Sequence, residues 1–157
     1  MSADLDAVEI RRAGADEVDV IADVFWASRH ANAATIPLLV HPLDDVRRWV
    51  QEQLLDRHEV WVAEAGGEVV GFMALGQPDW IEHLYLRPDA SGHGLGSRFV
   101  DLAKRELTGQ IQLWTFQSNL GARRFYGRHG FVEVQWTDGD NEEGAPDVRL
   151  LFSTSVP

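Results

Sequence analysis

Apolar positions along this chain fall into two periods, and the changes between them mark out its elements. Apolar and polar residues alternate over 8–12, which predicts a short strand. Over 16–27, Val18, Ile21, Ala22 and Phe25 return at helical spacing and predict a helix. The stretch 30–42 holds two prolines and no period, so it reads as irregular. A second amphipathic helix is expected over 43–55, with Val46, Trp49, Val50 and Leu54 on one face. Alternation resumes over 59–64 and 68–75 around Gly66-Gly67, the pattern of a hairpin, and again over 80–86. A helix is expected over 92–107, its buried stripe being Leu95, Phe99, Leu102 and Ala103. A strand over 111–116 leads to a helix over 119–129, with Asn119 as N-cap and Gly130 as stop. Strands over 131–136 and 148–152 flank a polar, acidic loop at 137–147. This order predicts a mixed α/β fold with much antiparallel pairing.

Composition narrows the class. The 157 residues, 45% of them hydrophobic, fit one domain over 1–157 with a sizeable core. The absence of cysteine removes disulfides, thiolate metal sites and an acyl-cysteine intermediate. The six histidines show no metal-ligand spacing, so no metal is expected. A net charge of −11 argues against nucleic acid as a main ligand and is compatible with a cationic small molecule or a basic peptide end. The acidic start Met1-Ser2-Ala3-Asp4-Leu5-Asp6 is unlike a signal peptide, and the apolar run over 34–40 is too short to cross a bilayer. A cytoplasmic protein with no membrane partner is the expectation.

The most informative segment runs from Leu84 to Ser97. An apolar strand meets Pro88, then Gly92-His93-Gly94-Leu95-Gly96, then a helix. Glycines at alternate positions leave backbone N–H groups uncovered at a helix start, where the macrodipole is positive. That suits a phosphate or pyrophosphate; a plain tight connection is the competing reading. The spacing is not the Gly-x-Gly-x-x-Gly of a dinucleotide fold. Gly71 and Gly76 have P-loop spacing, but Gln77 stands where that loop needs lysine. No Gly-x-Ser-x-Gly elbow is present.

Leu84-Tyr85-Leu86-Arg87-Pro88 followed by Ser91-Gly92-His93-Gly94-Leu95-Gly96 resembles motif A of the GNAT superfamily of acetyl-CoA-dependent N-acetyltransferases. Asn119-Leu120-Gly121-Ala122-Arg123-Arg124-Phe125-Tyr126-Gly127-Arg128-His129-Gly130-Phe131 resembles its motif B. The hairpin from Val60 to Phe72 is similar too, so the resemblance covers 8–152. It implies a mixed, largely antiparallel six- to seven-stranded sheet flanked by helices. It implies an enzyme that moves an acetyl group from acetyl-CoA to a primary amine of a small molecule or peptide. Homodimers are common in that superfamily, so a second copy is among the expected partners.

Residue by residue, the resemblance implies that Leu84, Tyr85 and Leu86 offer backbone groups to the pantetheine arm. The amides from Ser91 through Gly92, His93, Gly94, Leu95, Gly96 and Ser97 would hold the coenzyme A pyrophosphate. Asn119 would contact the pantetheine, and Tyr126 would stand near the sulfur as proton donor. Ser91 departs from the family's usual Gln or Arg, which removes a side-chain contact but not the amides. His93 and Arg98 are the nearby replacements.

Amine acetylation needs a sink for the amine proton and a donor for the departing thiolate. Tyr126 carries a protonated hydroxyl suited to the second role, although helical spacing with Ala122, Phe125 and His129 also reads as core. Glu82, four residues before Leu86, is the candidate base; the alternative is a surface or salt-bridged strand residue. Strict alternation sends its neighbour His83 to the opposite face. Members that acetylate ribosomal protein N-termini carry a Glu where this chain has Trp114, so that assignment does not transfer. Asp138, Asp140, Glu142, Glu143 and Asp147 either line a pocket for a cationic amine or form a solvated hairpin tip. The loop resembles one in many bacterial members of the superfamily. The rival to catalysis is a coenzyme A-binding sensor that no longer turns over.

Overall fold

The computed structural model describes residues 7–34, 37 and 41–153. Among them, seven strands make one sheet in the order β1-β2-β3-β4-β5-β7-β6. They are β1 (Val8–Arg12), β2 (Glu59–Ala65), β3 (Glu68–Gly76), β4 (Trp80–Leu86), β5 (Gln110–Phe116), β6 (Val132–Trp136) and β7 (Asp147–Ser153). The β4–β5 pair is parallel and the other neighbours are antiparallel, so the mixed, largely antiparallel sheet is the one that forms.

The apolar stripes seen in the sequence divide between the two faces of this sheet. Helix α1 (Val18–Ala31) and helix α2 (Leu43–Trp49) cover one face, burying Ile21, Phe25, Val50 and Leu54 against Val62 and Phe72. α2 passes through a π-helical turn, Val50–Leu54, into the short α3 (Leu55–Arg57). Helix α4 (Leu95–Glu106) and helix α5 (Leu120–Arg128) lie on the other face, where Leu95, Phe99 and Tyr126 pack with Met73, Leu113 and Leu150. Arg123 pins α5 to β6 through a two-pronged contact with Glu133, at 2.6 and 2.8 Å.

Two boundaries depart from the periodic reading. α1 continues to Ala31, four residues past its expected end, because Ser28 and Arg29 extend its buried face. Much of the stretch read as irregular lies outside the described residues, at 35–36 and 38–40. α4 starts at Leu95 and not at Gly92, because Gly92 and Gly94 both hold φ +79, which no right-handed helix accommodates. The chain passes instead through a short 3-10 turn, Pro88–Ala90, and two left-handed glycines before the helix begins.

Phe99 is fully buried at the centre of the α4 face. Phe99→Ala should lower unfolding stability by about 3–5 kcal/mol, read from the urea midpoint. A loss below about 1 kcal/mol would show that this cluster does not organise the fold.

Candidate active site

β4 and β5 are hydrogen-bonding neighbours for a short distance and then part. Their ladder has the single register pair Trp80↔Gln112, supported by the Gln112 amide donating to Asp79 at 2.8 Å. On its other side β4 keeps its ladder with β3 up to Leu86. The edges of Leu84, Tyr85 and Leu86 that face β5 are therefore open to an extended ligand. A cleft of about 120 Å³ lies in the opening, bordered by Leu84, Tyr85, Leu113, Asn119, Ala122 and Tyr126.

A bulge drives the parting. Leu75 pairs with Ile81 and Ala74 pairs with His83, which leaves Glu82 as an extra residue in β4. Such an insertion bends its strand and increases the local twist. It also corrects the strict alternation expected here: Glu82 and His83 border the same cavity instead of opposite faces. Gly76 makes room for this, since a Cβ there would sit 2.8 Å from Glu82 Oε1.

The glycine turn follows β4 in the chain, past Leu86 and the short turn Pro88–Ala90. Side chains would meet nothing within 4 Å at Gly92 or Gly94, so the space above both is open. Gly94 caps α4 without a side-chain bond, and the first amide to close the helix is that of Arg98, donating to Gly94 O at 3.2 Å. The amides between Gly92 and Ser97 lie ahead of that bond, with the positive end of α4 behind them. Gly96 serves packing: a Cβ would come within 3.1 Å of the Phe125 ring. The Ser97 hydroxyl lies 2.9 Å from His129 Nε2 and ties α4 to α5. Ser91 and His93 are exposed on the turn, while Arg98 borders a separate hollow with Asp101 and Arg105. Arg87 is held by Asp89 at 2.6 and 2.9 Å.

Asn119 is the N-cap of α5, its Oδ1 accepting from the Ala122 amide at 3.1 Å. That bond aims α5 so that Tyr126 reaches the cleft. Tyr126 is 8% exposed and packs edge-on against Phe125 and Phe131. Burial raises its hydroxyl above the usual tyrosine range, and Tyr85 adds to the effect. The group therefore stays protonated and able to donate at all ordinary pH values.

A larger cavity of about 700 Å³ adjoins the cleft, and Glu82, His83, Tyr85, Trp114, Thr115 and Phe116 border both. α1, α2 and the loop before β7 form its other walls. Of the loop acids, Glu142, Glu143 and Asp147 border the cavity. Asp147 accepts from Thr137 and from Asn141, and Glu142 pairs with His41 across from the loop. Asp138 and Asp140 are exposed away from that border. His83 packs among Phe25, Trp49, His58 and Tyr85. Burial pushes its pKa down to about 4, helped by His58 and Arg29.

Arg29 also borders this cavity and was not among the expected site residues. Its signal was present in the sequence: it lies four residues past Phe25, on the same stripe as Val18, Ile21 and Ala22. A charged residue on an apolar stripe becomes visible once α1 is known to reach Ala31. Among the described residues no cluster of His and carboxylate groups is placed to hold a metal ion, and no helix is long and apolar enough to cross a membrane.

Known proteins match this arrangement. Residues 21–131 match the acetyltransferase (GNAT) family. A protein of Archaeoglobus fulgidus named "Uncharacterized N-acetyltransferase" is 28% identical over 134 residues, covering 76% of this chain and 89% of its own. The solution structure of apo-form YjaB from Escherichia coli superposes with a TM-score of 0.75 at 23% identity, covering 93% of this chain and 97% of that one. The structure of yncA from Salmonella typhimurium with its cofactor acetyl-CoA gives 0.69 at 21% identity, covering 96% of both chains.

Two outcomes follow from the geometry. Gly94→Ala forces a side chain into a left-handed conformation and should lower unfolding stability by about 1–2 kcal/mol, read from the urea midpoint; an unchanged midpoint would show that the turn tolerates another conformation. His83 has a folded pKa near 4 against an ordinary 6.5, so the unfolded chain takes up the proton first. The stability that depends on His83 staying neutral is full above about pH 6.5, is lost as pH drops toward 4, and changes no further below that. In His83→Phe the denaturation midpoint should lose that part of its pH dependence; an identical slope in both proteins would exclude His83 as its source.

Proposed function

This chain belongs to the acetyltransferase (GNAT) family, and on that premise we propose that it transfers the acetyl group of acetyl-CoA to a primary amine by direct attack within a ternary complex. The observation that carries the reading is the opening between β4 and β5. Tyr126 borders the cleft there, Glu82, His83 and Tyr85 border both the cleft and the larger cavity, and β4 runs on in the chain to the uncovered amides at the start of α4. The acetyl-CoA held by yncA, a structure with the same fold, supports this choice of donor.

The residues present fit that donor. Gly92 and Gly94 leave room over the amides that receive the pyrophosphate, and Leu84 to Leu86 offer an unpaired strand edge to the pantetheine. When bound, acetyl-CoA supplies the thioester carbon to which the amine bonds as the carbon–sulfur bond breaks. Tyr126 hydrogen-bonds the departing sulfur and gives it the hydroxyl proton as the thiolate forms; burial keeps that proton in place but makes the hydroxyl a weaker acid, so the raised pKa adds no driving force to the transfer. Glu82 receives the proton released by the amine, directly or through water, from its bulged position on the cavity wall. His83 stands beside it as a ring that burial holds neutral.

The test pairs calorimetry with acetyl-CoA and a thiol-release assay over an amine panel. Tyr126→Phe should lower kcat by roughly 10–1000-fold with acetyl-CoA affinity retained, and Glu82→Gln should lower kcat/KM by about 100-fold. Unchanged turnover in either variant removes that residue from the mechanism. Binding of acetyl-CoA without thiol release for any amine or peptide would assign the chain to coenzyme A sensing instead.

A further inference from the structure

We propose that the amine acetylated by this protein also carries a carboxylate, and that Arg29 is the residue that recognises it; the identity of the cavity rests on the acetyltransferase reading. Arg29 stands in the last turn of α1 with 4% of its side chain exposed, and it borders the larger cavity. A buried guanidinium is costly unless its charge and its five N–H donors are matched. Here they are matched in part, and the Tyr85 hydroxyl is one hydrogen-bonding neighbour of the guanidinium. Nη2 donates to Pro37 O at 2.9 Å. Glu143 Oε1 lies 3.8 Å from Nη2, an electrostatic neighbour but too distant for a hydrogen bond. Nε is buried and has no hydrogen-bond partner among the described residues. The rings of Phe25 and Phe116 flank the guanidinium at 5.7 Å each, which exclude water and strengthen any charge pairing made there.

The other charges of the cavity sharpen this choice. Arg48 is exposed and lies 3.6 Å from Asp45, so it does not offer a dry, waiting cation. Glu142 is engaged by His41, and Asp147 by Thr137 and Asn141. Glu82 presents its carboxylate at the bulge, next to the cleft where the acetyl group would arrive. A diamine can place one ammonium at Glu82 and the other at Glu52 or Glu143 on the same wall, but it brings Arg29 no counter-charge. A ligand with an ammonium and a carboxylate satisfies both ends. The complementarity therefore selects amino acids and related amino carboxylates over polyamines.

The test measures binding to the full chain by calorimetry for each standard amino acid and its carboxamide, with 1,5-diaminopentane as the amine lacking a carboxylate. The expected result is an amino acid bound at least tenfold more tightly than its carboxamide and than the diamine. Arg29→Gln should remove that preference. Glu143→Gln keeps the guanidinium and removes its acidic neighbour. It should tighten the carboxylate ligand several-fold and leave the carboxamide unchanged, which decides the matter even if Arg29→Gln fails to fold. Carboxamides or the diamine binding as tightly as the acids, or no amino acid binding at all, would overturn the proposal. Thiol release from acetyl-CoA on the same panel keeps the two readings apart. A carboxylate preference in binding without thiol release would sink the transferase reading and leave the ligand class standing. Thiol release with the diamine or the carboxamides favoured would do the reverse.

Discussion

One extra residue in one strand organises the site. With Glu82 inserted, β4 holds its register with β3 on one edge while its other edge leaves β5 after a single pair. A regular ladder would have satisfied those backbone groups within the sheet and closed the cleft. The bulge keeps them available and turns Glu82 and His83 toward the same cavity. Everything that makes the arrangement suited to acyl transfer stands around that opening: the amides of the glycine turn, Tyr126 on α5, and the larger cavity under α1 and α2. The cost of an incomplete ladder is offset by the apolar clusters on both faces, in which Phe72 and Phe99 are fully buried.

The electrostatics of the cavity run against the bulk charge. A chain with net charge −11 would be expected to favour cations in general. Glu142 and Asp147 on the cavity wall are engaged with neighbours, whereas Arg29, the deeply buried cation among the described residues, has one N–H without a partner. Local desolvation outweighs the summed surface charge here, because exposed charges are screened by water and salt and a guanidinium between two rings is not. Burial likewise sets two titrating groups, His83 on the cavity wall and Tyr126 in the cleft. It holds His83 neutral and Tyr126 protonated.

Much of this was legible in the chain and some of it was not, for reasons that differ by residue. Asn119 as N-cap and the helix after it could be read directly, because capping is a contact between neighbours in sequence. The spacing puts the start of α4 at Gly92 and the structure puts it at Leu95, because three glycines say that unusual φ values are available, not which residues adopt them. His83 was misread because a bulge depends on how β3 and β4 align, and alternation assumes that no residue is inserted. Arg29 was missed because one charged residue at the end of a helix is usually solvated, and its burial follows from Phe116 and Pro37 arriving beside it.

The sequence by itself determined the elements, their amphipathic faces and the two motifs that mark the family, since each is a pattern of near neighbours governed by helix and strand periods. The tertiary structure alone decided the parting of β4 from β5, the shared wall of cleft and cavity, and the environment of Arg29, His83 and Tyr126. Those depend on register and burial between segments far apart in the chain, where desolvation and packing set the energies and local pattern carries no record of them.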